Sequence, residues 1–241
     1  MLSRSIGNDI VDLDERSGDL HPRFVQRVFA TAERASVAKS PARMWLHWAA
    51  KEAAFKALNR LDPQTVFSPV RFEFDYANSC VEYGAHRLPC RCTVMPHYVS
   101  VVCATDKAMF RGDRLRSWVS SLAAQAPSIR LSGKVSSALS QESQAVRILA
   151  LSEIASLTGI DRDALEVGTL EEARAPQGAL GTAVPRKRSI PCLKVYGRSS
   201  KDLLSFSHHG RYVMCAYYPA FDEARQRAGR VNPLLADHEA K

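Results

Sequence analysis

Four side chains in this sequence have types and spacing suited to chemistry: Asp9 and Asp12 in Gly7–Leu13 (GNDIVDL), and Glu52 and Lys56 in Pro41–Leu58 (PARMWLHWAAKEAAFKAL). GNDIVDL reads as an apolar strand carrying two acids. Burying an unpaired carboxylate costs several kcal/mol, so each acid must be partnered, exposed at an edge or bound to a cation. Strand alternation puts Asp9 on one face with Val11 and Leu13, and Asp12 on the other with Ile6, Asn8 and Ile10. In the second stretch, helical spacing gathers Trp45, Trp48, Glu52 and Lys56 into one stripe, and Ala50, Ala53, Ala57 and Leu58 into a small face able to lie close against a sheet. Alone, Glu52 and Lys56 also read as an ion pair one turn apart on a solvated helix. Taken together, Asp9 and Glu52 make a hard-oxygen site for Mg2+, which binds through one or two carboxylates and leaves positions for substrate phosphates.

A third stretch, Ser205–Tyr212 (SFSHHGRY), pairs serine with histidine before a glycine turn. It lacks the GxSxG elbow and a placed acid of a hydrolase triad. A phosphate or adenine contact at a strand end suits it better, and a turn-capping serine with a surface histidine is the alternative.

The elements that must position these residues follow from periodicity. A short helix is expected over Arg23–Ser36 and a long one from Pro41 to Leu58, then strands at Val70–Asp75, Cys80–Tyr83, Arg91–Val94 and Tyr98–Ala104, making one α+β unit. Ala123–Lys134, rich in Ala, Ser, Gly and Pro, is the expected boundary. Beyond it come a helix over Gln141–Leu157, a loop over Glu171–Ile190, and strands at Cys192–Tyr196, Leu203–Ser207 and Tyr212–Tyr218. Both halves run helix then strands, and both close with His before a Tyr-Val strand reaching Cys-Ala (PHYVSVVCA, SHHGRYVMCA), which predicts a pseudo-twofold protein with a cleft between the halves. The expected division is 1–125, 126–219 and a weakly ordered tail, 220–241.

Composition is that of a folded protein, with 46% hydrophobic and 24% charged residues and no apolar run of membrane-spanning length. The opening residues lack the apolar core of a secretory signal, so a cytoplasmic location is expected. Six cysteines without a CxxC pair read as reduced, largely buried thiols. A net charge of +8 implies an anionic partner, whether a phosphate-bearing cofactor, an acidic protein, a membrane surface or nucleic acid. No RNP-like strand or zinc-finger spacing supports nucleic acid.

In this order, GNDIVDL, WAAKEAAFKAL and LLSFSHHGRYVMCA resemble the GxD strand, WxxKExxxK helix and SxSH turn of the 4'-phosphopantetheinyl transferase superfamily. RFVQRVFATAERAS looks like the helix ending in Thr-Glu that precedes the KE helix in that family, and residues 144–218 look like the amino-terminal half of the surfactin-synthetase-type enzymes. Here that half comes second, as though the lobes had been exchanged. The resemblance implies an α+β, pseudo-twofold two-lobe fold, each lobe a small antiparallel sheet packed on a long helix, and a monomer. It implies that Asp9 and Glu52 bind Mg2+ with the pyrophosphate of coenzyme A, that Lys56 contacts a phosphate there with support from Lys51, and that Ser207, His208 and Arg147 hold coenzyme A. Val11 stands where a third acid often occurs, so the resemblance implies that water completes the metal shell. The family GKP becomes Ser189-Ile190-Pro191, with Arg186, Lys187 or Arg188 to replace its lysine.

The implied reaction is transfer of 4'-phosphopantetheine from coenzyme A to a serine of an acidic apo acyl- or peptidyl-carrier protein, releasing 3',5'-ADP, with Glu52 as base. A non-catalytic homologue that binds coenzyme A or a carrier, and a basic nucleic-acid-binding protein, are the competing readings.

Overall fold

The computed structural model describes residues 4–15, 21, 23–131, 139–172 and 188–220. The chain opens with β1 (Ile6–Asp12), then α1 (Arg23–Val28), α2 (Thr31–Val37) and α3 (Pro41–Leu61). Ser40 caps α3, its hydroxyl accepting the Arg43 N–H at 3.2 Å, and Pro41 fills the first turn. One helix was expected over Arg23–Ser36, but the chain breaks at Phe29-Ala30. There Ala30 is extended (φ −60°, ψ 157°) and donates its N–H to the Glu33 carboxylate at 2.8 Å.

Four strands follow: β2 (Glu73–Asp75), β3 (Cys80–Tyr83), β4 (His86–Val94) and β5 (Tyr98–Ala104). With β1 they form an antiparallel sheet ordered β1-β5-β4-β3-β2. The expected strand at Val70–Asp75 is shortened because Pro69–Arg71 forms a 3-10 turn, whose Pro69 carbonyl accepts from the Lys51 ammonium.

The second lobe comprises β6 (Arg116–Ser121), α4 (Leu122–Leu131), α5 (Gln141–Thr158), β7 (Leu165–Glu172), β8 (Arg188–Val195), β9 (Arg198–Ser199), β10 (Leu203–His209) and β11 (Tyr212–Tyr218). Its sheets are ordered β10-β11-β6 and β7-β8-β9. Where a linker was expected, α4 forms a helix, because the Ser121 hydroxyl accepts the Ala124 N–H at 3.2 Å and α4 packs on α5. The chain leaves the first sheet after β5, and β6 already pairs with β11. β7 occupies the start of the segment expected to be a loop, laddered to β8 from Leu165↔Val195 to Glu172↔Arg188. Arg186, Lys187 and residues 221–241 lie outside the described residues.

The two lobes repeat one arrangement: β5 lies between β1 and β4, and β11 lies between β6 and β10. The Tyr-Val starts of β5 and β11 meet, with the Tyr98 and Tyr212 rings 4.9 Å apart. Between the lobes Ile6, Ile10, Val102 and Ala104 pack against Met214, Ala216 and Tyr218. α3 covers the other face of the first sheet, with Ala50, Ala53, Ala54 and Ala57 wholly buried, and α5 covers β10 and β11. β1 is thus apolar on both faces because it is a central layer, with a helix on one side and the second lobe on the other. Among the described residues no helix is long and apolar enough to cross a membrane.

Candidate active site

Gly7 determines how closely α3 approaches β1. A Cβ at this position would collide with the Ala53 carbonyl and come within 2.7 Å of the Ala57 nitrogen, so only glycine admits the helix here. The Ser5 hydroxyl, donating to the Ala57 carbonyl at 2.8 Å, ties the same turn to the strand. This contact brings Asp9 beside the Glu52–Lys56 stripe. The Lys56 ammonium donates to Asp9 Oδ1 at 2.8 Å and to the Asn8 carbonyl at 3.0 Å. Desolvation, reinforced by the Asp9 charge and opposed by Lys56, pushes the Glu52 carboxyl up to about 7.

Lys51, next to Glu52 in sequence, lies elsewhere. Its ammonium is wholly buried inside the first lobe, donating to Glu33 Oε2 at 2.6 Å, to the Pro69 carbonyl at 3.0 Å and to the Phe72 carbonyl. It is not brought toward Asp9, because adjacent helical residues point about 100° apart. Glu33, which the sequence reading did not single out, is the hub of this interior network. Besides the Ala30 N–H and Lys51 it receives the Phe74 N–H at 2.9 Å and contacts His47 Nδ1 at 3.3 Å. Burial alone would raise the Glu33 carboxyl, but His47, Lys51 and the Phe74 N–H hold it below the usual range. Ala30 offers no side-chain acceptor, so the Ser/Thr-x-x-Glu signature of a capping box is absent and the break was not readable from the sequence.

On β10, alternation separates Ser207 from His208. Ser205 Oγ accepts the Asn8 N–H and Ser207 Oγ accepts from Asn8 Nδ2, both at 3.1 Å, so both serines face β1. Asn8 Nδ2 also donates to the Met214 carbonyl at 3.2 Å. His208 is turned the other way, exposed beside Glu142 at the start of α5. Asp12 completes this seam. Wholly buried, it receives the Arg211 guanidinium through two bonds of 2.8 Å and the Arg211 N–H at 3.0 Å. Its own N–H donates to His209 Nδ1 at 3.1 Å.

A cleft of about 340 Å³ opens between the lobes, lined by Lys56 and Arg60 of α3, Arg147 of α5, Pro191 of β8 and His208 of β10. Arg147 is steadied by its Nη1 bond to the Ser143 carbonyl at 2.9 Å and lies 5.9 Å from the centre of the Phe206 ring. Ser205 borders the cleft, while Ser207 lies behind it against Asn8. Arg188 is the first residue of β8. Through Lys56 the cationic cleft is continuous with Asp9 and Glu52. Among the described residues no group of three or more His, Cys, Asp or Glu side chains gathers as a metal cage. Asp9 and Glu52 could together offer two oxygen donors to a hard cation, which would need its remaining ligands from water and a phosphate.

No curated protein matches the chain. Residues 5–89, which hold β1, the Glu33 hub and all of α3, match the family model of the 4'-phosphopantetheinyl transferase superfamily.

Proposed function

We propose that the protein transfers 4'-phosphopantetheine from coenzyme A to a serine of an acidic apo carrier protein, releasing 3',5'-ADP. The observation that carries this reading is the cation-lined cleft of about 340 Å³ joined through Lys56 to the Asp9–Glu52 pair. Arg147 and His208 would hold the nucleotide phosphates, and Lys56 the pyrophosphate beside Asp9. Ser207, bonded to Asn8, would serve by fixing β10 against β1.

Asp9 and Glu52 fit a divalent cation. One carboxyl of the pair is raised to about 7 by burial and by its neighbour's charge, the imbalance that a bound cation would relieve. Mg2+ held there would neutralise charge developing on the pyrophosphate. The carrier serine oxygen attacks the β-phosphorus, the bond from that phosphorus to the 3',5'-ADP oxygen breaks, and the serine proton passes to Glu52 directly or through water. The net charge of +8 supports recognition of an acidic carrier. Incubation with coenzyme A, Mg2+ and several apo carrier proteins, read by mass spectrometry, tests the proposal. Phosphopantetheine addition lost in Asp9→Ala and Glu52→Ala is expected. Coenzyme A binding without addition to any carrier would leave a non-catalytic homologue instead.

A further inference from the structure

The second lobe contains a seam that no backbone ladder closes. β8 pairs with β7 and β9, β10 pairs with β11, and β8 and β10 lie side by side without being partners. This seam forms one wall of the cleft, through Pro191 on β8 and His208 on β10.

Arg60 crosses it from the other lobe. One turn after Lys56 on the same face of α3, its Nη1 donates to the Leu204 carbonyl of β10 at 2.6 Å and its Nη2 to the Pro191 carbonyl of β8 at 2.9 Å. The base of this strut is rigid, since Ser5 and Gly7 lock the preceding turn of α3 onto β1. A planar guanidinium can serve two divergent carbonyls at once, whereas an ammonium is a single point of charge.

We infer that Arg60 is a positioning residue that closes the β8–β10 seam from the first lobe and so fixes the wall receiving the anionic part of coenzyme A. The functional half of this inference rests on the transferase reading; the structural half stands alone. Two measurements separate them. In the ligand-free protein, hydrogen exchange of β8 and β10 amides should quicken about tenfold in Arg60→Met, while β3 stays unchanged. In the transfer assay, the KM for coenzyme A should rise about tenfold with kcat within about threefold, the pattern of lost binding rather than lost chemistry.

Arg60→Lys, which keeps the charge and most of the volume, carries both measurements if the methionine variant does not fold. It should restore neither exchange protection nor KM. Unchanged exchange in the variants, or full recovery of KM by lysine, overturns the inference, because charge alone would then suffice. Quickened exchange in a protein whose wild type transfers nothing would sustain the seam and overturn the transferase reading.

Discussion

Asp9 and Asp12 lie on one strand yet meet opposite environments, because alternation turns Asp9 toward α3 and Asp12 toward the second lobe. Arg211, chiefly through its side-chain hydrogen bonds, holds the Asp12 carboxyl well below the usual carboxylate range despite burial. A carboxylate depressed in the folded state contributes stability that is complete above its unfolded pKa, near 4, and is lost as the pH falls below that value. Asp12→Asn should therefore melt below wild type at pH 7, with the gap closing in acid, as thermal scans across pH would show. Glu52 has the opposite sign. Raised to about 7 when folded, it penalises the folded state progressively as pH climbs from about 4.5 to about 7. In metal-free protein, Glu52→Gln should melt above wild type beyond pH 7, match it below pH 4, and lack transfer activity. Equal melting of the two proteins at pH 8 would show that Glu52 is not so strained. The separation of Asp9 from Asp12 was legible from the period of two. The Lys51 outcome was equally legible from the stripe Trp45, Trp48, Glu52, Lys56, which omits it, although the motif resemblance pulled Lys51 into the site.

Among the elements, the β1–α3 contact depends on Gly7 more than on any large side chain. Gly7→Ala should destabilise the first lobe by about 1–3 kcal/mol, the usual cost of overpacking, read as a lower urea midpoint. It should also depress transfer by moving Glu52 away from Asp9. The alanine face of α3 announced this close packing, and β3, β5 and β11 coincide with the segments expected from their apolar runs. What escaped local reading were elements defined by distant partners. β6 is an unremarkable RSWVSS until it pairs with β11, with Arg116 opposite Tyr217. The α1–α2 break required Glu33 to be recognised as an acceptor rather than as another helical residue.

Across the whole molecule, each lobe supplies what the other lacks. The first brings Asp9, Glu52 and Lys56, and the second brings Arg147 and His208 to the opposite wall. The repeated sheet order that relates the lobes also fixes the order in which the chain can assemble. The first sheet is complete once β5 ends at Ala104, whereas β6 must await β11, whose Tyr212 faces Ser121 across the ladder. Contacts so distant in sequence form slowly, because a long loop must close before they return any energy. During synthesis the first lobe would be able to fold while Ile6, Ile10, Val102 and Ala104 remain uncovered, the side that Met214, Ala216 and Tyr218 later take. The cleft comes into existence with the last strand pair, so an unfinished chain carries Asp9, Glu52 and Lys56 without the opposite wall that bears Arg147 and His208.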